Sequence, residues 1–343
     1  MWLAEPVTAT YPELAPWISR QLGYSGARVV RELSGGNSNV TLLVATDQGK
    51  LVLRTPPAAT ISPTAHRGVE REAGVMSALH GHAPVPRVLG WCDDSAVIGR
   101  PFALVEFIDG LSITERLPPG YDGVAAVNSL GEQLTDALAA IATAPWQQLG
   151  LEKFGNPDNF LRRQIERWLG TREKSAVREL PQLFTLGQWL LDNLPTRGPT
   201  GIVHGDYHLD NTLCSADKPE LLAVIDWEMA TIGDPLTDLG LFLMFWGGRA
   251  VEPPGFAHVQ AVSRREGVVG RRELAARWAD ATGIAIDQLD FYMCFAFWRL
   301  AAIVEGAYGL YVAGTVDTPY ARGLEYDVPA LLEEARLAAK GAW

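Results

Sequence analysis

Three side chains in one stretch of the chain have the types and spacing to handle a phosphate ester. They are Asp206, Asn211 and Asp226, within the run IVHGDYHLDNTLCSADKPELLAVIDWEMATIGDPLTD from Ile202 to Asp238. Asp206 and Asn211 lie five positions apart, after the β-branched pair Ile202–Val203. Asp226 closes the apolar run Leu221–Ile225, which a polar turn over Ser215–Pro219 separates from Thr212–Cys214. All three are therefore expected on loops at the ends of short strands, where a rigid sheet can aim them. An amide oxygen and a carboxylate, Asn211 and Asp226, are the hard ligands that magnesium takes when it accompanies a nucleoside triphosphate. A second carboxylate, Asp206, can orient a hydroxyl and accept its proton. The chemistry this set suits is phosphoryl transfer to an alcohol.

The order HGDxxxxN, IDWE and GDPLTDL resembles the signature of the aminoglycoside phosphotransferase superfamily, with HGD and Asp-Trp-Glu where protein kinases carry HRD and Asp-Phe-Gly. LSGGNSNVT, VLRTPP, ALVEFIDG and DPLTDLGLFL are similar, more narrowly, to the kinase-like proteins related to the domain fused ahead of some acyl-CoA dehydrogenases. The likeness runs over nearly the whole chain. It implies a bilobal, protein-kinase-like α+β fold. Residues 1–108 would be a small, mostly β, nucleotide-binding N-lobe of five strands plus helices, and residues 109–343 a larger helical C-lobe with the catalytic loop, metal site and acceptor site. It implies ATP and Mg²⁺ as cofactors, leaving ATP against GTP and one against two ions open. It also implies that Asp206 is the catalytic base, that Asp238 braces the catalytic-loop backbone, that His204 shapes that loop, and that backbone groups of Glu106 and Ile108 meet the adenine.

These side chains need elements to hold them. Val29–Leu33, Val40–Ala45 and Leu51–Arg54 alternate as strands, with a hairpin turn at Asp47–Gly49. Gly35, Gly36, Asn37, Ser38 and Asn39 lie between the first two, and glycines there let backbone N–H groups approach phosphate oxygens. Arg54 stands where kinases have lysine; its fork can bridge a phosphate and a carboxylate. The carboxylate is Glu72, with Glu70 as the competitor, on a helix over Ala65–His80. Val85–Cys92 and Pro101–Phe107 supply two further strands, and Tyr11, Leu14, Trp17, Ile18 and Leu22 mark an opening helix. Ala125–Ala142, Asn159–Leu169, Leu183–Leu194, Glu273–Thr282, Ile286–Val312 and Val328–Lys340 read as helices of the second lobe. Asp234–Pro235 reads as a helix start, which makes Asp234 structural. Tyr207, His208 and Asp210 are expected on the open side of the catalytic loop, in contact with the acceptor.

A net charge of −11 argues against a nucleic-acid partner. Cys92, Cys214 and Cys294 are scattered, with no disulfide framework or zinc cluster, which fits a reducing cytoplasm. No leader is evident before Arg20, Leu239–Trp246 is too short to span a bilayer, and Phe291–Gly314 carries Arg299 and Glu305 and reads as a core helix. No membrane association and no obligate protein partner are expected. No long activation segment follows Asp226, which favours a small-molecule hydroxyl acceptor over a protein. Arg162, Arg163, Arg167, Arg172, Lys174 and Arg178 oppose only Glu166 and Glu173, and six arginines oppose three glutamates over Arg249–Arg277. If those charges face the site, the acceptor is anionic and partly apolar, such as a hydroxyacyl compound; otherwise they are solvated helix faces with pairs such as Arg162–Glu166. The competing readings are an aminoglycoside or other antibiotic kinase, a non-catalytic nucleotide-binding pseudokinase, a protein kinase, and a metal-dependent hydrolase built on His204, Asp206 and His208.

Overall fold

Alternating apolar side chains from Val40 to Thr55 make two strands that bury one face, and the rest of the first unit is laid against them. The structure, a computed structural model, describes residues 11–33, 39–57, 63–196 and 198–343. Packing divides the chain into two units, one reaching to Asp109 and including Ala223–Ala230, the other made of Gly110–Leu222 and Thr231–Trp343.

The first unit runs α1 (Leu14–Leu22), β1 (Arg28–Glu32), β2 (Val40–Thr46), β3 (Gly49–Thr55), α2 (Pro63–Leu79), β4 (Val88–Cys92), the short α3 (Ser95–Ile98) and β5 (Phe102–Glu106). Its five strands form an antiparallel sheet in the order β1-β2-β3-β5-β4. Period-two alternation separates the faces. Leu42, Val44, Leu51, Leu53, Phe102 and Leu104 pack with Leu14, Trp17 and Ile18 of α1, whereas Ala103 packs with Val69 and Ala73 of α2. Burying each of the larger apolar side chains contributes about 1.5–3 kcal/mol. The register sets Arg54 opposite Thr41 on β2 and Ala103 on β5, on the α2 side.

The second unit holds α4 (Gly123–Thr143), α5 (Phe160–Lys174), α6 (Pro181–Asp192), β6 (Gly201–Val203), β7 (Thr212–Cys214), the start of β8 (Leu221–Val224), β9 (Thr231–Gly233), α7 (Leu236–Phe245), α8 (Arg271–Thr282), α9 (Leu289–Val312) and α10 (Pro319–Ala338). The centre is α9, against which α10, α7, α5 and α6 pack. By length and composition α9 could cross a membrane, yet thirteen of its residues are buried among these helices. Every residue of α7 is buried. The two helices meet at Gly240, where an added Cβ would lie 2.7 Å from the carbonyl oxygen of Tyr292. The short β6 pairs antiparallel with β9, Ile202 opposite Ile232, and is wholly buried. The helix expected at Val328–Lys340 begins nine residues earlier: Thr318 caps the N–H of Ala321 and Pro319 opens the first turn, leaving Pro329 inside the helix.

Asp234 fixes the start of α7, its carboxylate accepting the N–H of Leu236 at 3.1 Å and the hydroxyl of Tyr292 at 2.7 Å. Burial pushes its carboxyl up to about 6 against these bonds. Because the folded value lies above the unfolded one, the contribution of this group to stability is full below about pH 4 and is lost as pH rises through about 6. The stability of the wild type relative to Asp234→Asn should therefore fall by about 3 kcal/mol between pH 4 and pH 7 in urea titrations; a difference flat with pH would show that the carboxyl is not so shifted.

Candidate active site

The buried strand β6 delivers the chain into His204–Gly205–Asp206, and two charged side chains from the helical core then hold that peptide. Asp238, in the first turn of α7, accepts the N–H groups of His204 at 2.5 Å and Gly205 at 2.9 Å. Arg299, from the middle of α9, donates to the carbonyl of Gly205 at 3.2 Å. Gly205 has φ +88°, a conformation that a side chain would strain. His204 is buried and its Nδ1 accepts the N–H of Asp206 at 3.2 Å. Burial pushes the carboxyl of Asp238 up to about 6, although the two N–H donors and the Arg299 charge pull it down.

Asp206 projects from this braced peptide with its side chain 47% exposed. One carboxylate oxygen accepts the Asn211 amide N–H at 2.8 Å, and the other lies 3.5 Å from His208 Nε2. The same Asn211 nitrogen donates to the Asp206 carbonyl at 2.8 Å, which leaves Asn211 Oδ1 as the oxygen able to meet a cation. Burial acts to raise the Asp206 carboxyl, but His208, His204 and Asn211 together outweigh it and bring the pKa down to about 2. The group is a fixed, ionised carboxylate throughout the neutral range.

The three residues expected on the open side of the loop part company. Tyr207 does not face it: the side chain is fully buried, its hydroxyl donates to the Leu134 carbonyl at 2.7 Å, and its ring packs edge-on to Phe242. On an extended loop adjacent side chains point to opposite sides, so an outward Asp206 sends Tyr207 inward. His208 stays beside Asp206, its ring 5.2 Å from that of Phe245. Asp210 is half-buried and accepts the N–H of Gln260 at 3.4 Å, and burial raises its carboxyl.

In the first unit a second polar cluster forms around Arg54. Its Nε and Nη2 grip both oxygens of Glu72 at 3.0 and 2.8 Å, and Nη1 donates to Thr41 at 3.1 Å. Glu72 is buried on the sheet side of α2, whereas Glu70 is exposed. Nη2 also lies 3.6 Å from Asp226, whose backbone is left-handed at φ 66°, ψ 60°. Such a conformation in a non-glycine residue costs about 1–3 kcal/mol and is held by its surroundings. Here the Trp227 indole donates to the Val224 carbonyl at 2.9 Å and Arg71 donates to the Ala230 carbonyl at 3.3 Å. The Arg54 and Arg71 contacts tie residues 223–230, assigned from the sequence to the second lobe, to the first unit. Glu106 ends β5, with its N–H and carboxylate both bonded to the Arg87 backbone, and Ile108 follows it half-buried. Asn39 is buried at the start of β2, whereas Gly35, Gly36, Asn37 and Ser38 lie outside the described residues.

Two residues that hold the loop from outside were not foreseen in their roles. Arg299 stood out only as a charge in an apolar helix. Gln260, fully buried at φ 50°, accepts the Leu209 N–H at 2.6 Å and so ties down the turn before Asn211. Among the described residues no group of three or more His, Cys, Asp or Glu side chains gathers at one point, so a dinuclear hydrolase around His204 and His208 lacks a ligand set.

The profile described as the phosphotransferase enzyme family, APH, matches residues 29–277. Acyl-CoA dehydrogenase family member 10 of Mus musculus is 31% identical over 304 residues, which is 87% of this chain but only 28% of that protein. The crystal structure of a candidate aminoglycoside phosphotransferase from Ralstonia eutropha superposes with a TM-score of 0.83 at 30% identity, covering 96% of this chain and 98% of the other. The GDP and kanamycin complex of the phosphotransferase APH(2'')-IIIa superposes at 0.64 with 18% identity, covering 93% and 96%, and shares the fold.

The brace makes a specific demand. An amide at position 238 keeps one acceptor oxygen for two N–H donors, and a buried N–H left unmatched costs about 1–3 kcal/mol. Asp238→Asn should therefore lower stability by that amount and slow turnover at least about tenfold, with nucleotide affinity nearly unchanged; wild-type turnover and melting temperature in this variant would show that the loop does not depend on the carboxylate.

Proposed function

We propose that this chain, which belongs to the phosphotransferase enzyme family, is an ATP-dependent kinase that moves the γ-phosphoryl group to a hydroxyl of a small, anionic and partly apolar molecule such as a hydroxyacyl compound. The observation that carries this reading is the Asp206 carboxylate, ionised, half-exposed, and fixed by Asn211 and His208 on a backbone held by Asp238.

A carboxylate with a pKa near 2 is too weak a base to ionise an alcohol beforehand. Its part is to accept the hydrogen bond of the acceptor hydroxyl, aim a lone pair of that oxygen at the γ-phosphorus, and take the proton as the new P–O bond forms and the bond from that phosphorus to the departing ADP breaks. That timing suits a loose transition state, in which bond-making to the nucleophile is late. Arg54, its orientation fixed by Glu72 and Thr41, is the phosphate clamp, and backbone groups of Glu106 and Ile108 meet the nucleotide base. By type, Asn211 Oδ1 and the Asp226 carboxylate are each a hard oxygen that Mg²⁺ would take alongside phosphates, whose charge the ion would neutralise when bound.

A nucleotide donor is supported by the GDP that accompanies kanamycin in the APH(2'')-IIIa complex. Kanamycin itself does not carry over: that likeness is one of fold, and a polyamine calls for carboxylates. Here residues 249–277 carry six arginines against three glutamates. The name of the mouse relative supports an acyl acceptor, since a segment like this chain shares a polypeptide with an acyl-CoA enzyme.

Two experiments test this. Acceptor-dependent ADP release, screened over hydroxylated acids, their acyl thioesters and kanamycin-type amines, should detect turnover with a hydroxyacyl compound and none with the amines; efficient phosphorylation of kanamycin would overturn the acceptor class. Asp206→Ala should then lower turnover by about 10²–10⁴ with near-normal nucleotide binding, and Arg54→Lys should retain part of the activity that Arg54→Ala loses. Full turnover in Asp206→Ala would sink the assignment of the base.

A further inference from the structure

The arginines of the second unit mostly end on identified partners. Arg162 pairs with Glu166 at 3.7 Å, Arg178 with Glu305 at 2.7 Å, and Arg277 with Asp136 at 2.7 Å. Arg264 pairs with Glu252 at 2.6 Å and spends its remaining terminal N–H groups on the carbonyls of Phe256, Ala257 and Val259. Arg249 differs. Its Nε, Nη1 and Nη2 are all buried, and among the described residues none has a hydrogen-bond partner. Its guanidinium lies over the Phe245 ring at 5.4 Å. Nearby, Arg271 donates through Nε to the Trp246 carbonyl at 2.7 Å, while its buried Nη2 has no partner either. The carboxylates close enough to act on the pair are otherwise committed: Glu252 to Arg264, and Glu334 to the backbone N–H groups of Ala250 and Val251.

Arg271 borders an open cavity of about 430 Å³ whose lining includes Gly247, Gly248, Arg264, Arg265 and Arg272, with no aspartate or glutamate. Arg249 is not itself in that lining but follows directly on the two glycines that are. A guanidinium taken out of water without a partner is costly, and removing such a charge usually stabilises a protein. The cost is offset when an anion supplies the missing acceptors, and several guanidinium groups without a carboxylate suit a dianion better than a single carboxylate.

We propose that Arg249 and Arg271 form a binding site for a phosphate-class dianion, reached through the cavity bordered by Gly247, Gly248 and Arg264. The site has a defined relation to the catalytic loop, because the ring that carries Arg249 is the ring that packs on His208, the neighbour of Asp206. The dianion is either a phosphate belonging to the acceptor molecule or a separate phosphate-bearing effector; the first alternative rests on the phosphotransfer reading above, the second does not.

The test uses the full chain, saturated with ADP so that the nucleotide site is filled, and inorganic pyrophosphate as the probe. Calorimetry should show pyrophosphate binding, and the melting temperature should rise by roughly 2–4 °C when the probe is well above its Kd. Arg249→Met should weaken binding on the order of 10–100-fold and should melt higher than the wild type without probe, because an unpartnered buried cation is gone. Gly248→Glu is a second variant that leaves both arginines in place. Its backbone is not in the left-handed region and an added Cβ meets open space, so the new carboxylate folds into the cavity rim and should repel the probe. In acceptor kinetics, competition by pyrophosphate together with a raised KM and preserved kcat in Arg249→Met assigns the dianion to the acceptor; binding without competition assigns it to an effector. Equal pyrophosphate binding by the wild type and both variants overturns the site. Absence of any phosphoryl transfer alongside intact, Arg249-dependent binding would overturn the functional reading and leave the site standing.

Discussion

The two hydrogen bonds from consecutive backbone N–H groups to the Asp238 carboxylate are what the rest of the second unit serves. His204 and Gly205 present consecutive N–H groups to that one carboxylate, and the positive φ of Gly205 turns the chain immediately after them. Once Asp238 holds the N–H side, the carbonyl of Gly205 points the other way, and Arg299 meets it there. The His204–Gly205 backbone is thus held between an anion on α7 and a cation on α9. The relative position of those helices is in turn set where the backbone of Gly240 lies against Tyr292. Asp206, the next residue, inherits its direction from this arrangement. The loop is short, but its geometry is determined by elements up to 94 residues away in sequence.

The same economy explains the electrostatics of Asp206. Its carboxylate is kept ionised by neighbours that also fix its rotamer: the Asn211 amide does both, as does His208. A stronger base would need burial without these donors, and would then spend part of the neutral range protonated and unable to accept a hydrogen bond. Positioning and basicity pull in opposite directions here, and the residues around Asp206 favour positioning. Arg54 follows the same logic in the first unit, since three of its donor contacts go to Glu72 and Thr41 before any ligand is considered.

What could be read from the sequence divides along this line. The five strands, the first-unit helix carrying Glu72, and the loop residues Asp206 and Asn211 were legible because local periodicity and spacing encode them. Even the choice between Glu70 and Glu72 was within reach: Val69, Ala73 and Met76 mark the buried stripe of α2, and Glu72 falls in it while Glu70 does not. Tyr207 misled because a tyrosine beside a candidate base resembles a contact residue, whereas its hydroxyl donates to the Leu134 carbonyl in the core. Gln260 and Arg299 were not legible as parts of the site. Each acts on a backbone group, and a backbone group has no sequence signal of its own. The β6–β9 pairing was equally hidden, being three residues matched to three across a gap in the chain. The place of residues 223–230 with the first unit depends on Arg71 and Arg54 reaching a backbone carbonyl and a carboxylate far along the chain.

Charge shows the same limit in another form. Two arginine-rich segments look alike when counted, yet their charges have different fates. In residues 162–178 Arg162 ends in an exposed helix-face pair, Arg163 on a backbone carbonyl and Arg178 on the buried Glu305 of α9, while Arg172 keeps a buried Nε with no partner among the described residues. In residues 249–277 Arg277 and the terminal nitrogens of Arg264 are taken up, and Arg249 stands apart because all three of its guanidinium nitrogens are buried and unmatched among the described residues, with the Nη2 of Arg271 beside it. A surplus of basic residues is weak information, because solvated or paired cations cost little and accumulate freely. A buried cation without a partner is strong information, because every folded molecule bears its desolvation cost and most substitutions would relieve it. The charge that bears on ligand chemistry is therefore the charge left over when the protein's own partners have been counted, and only the folded chain permits that count.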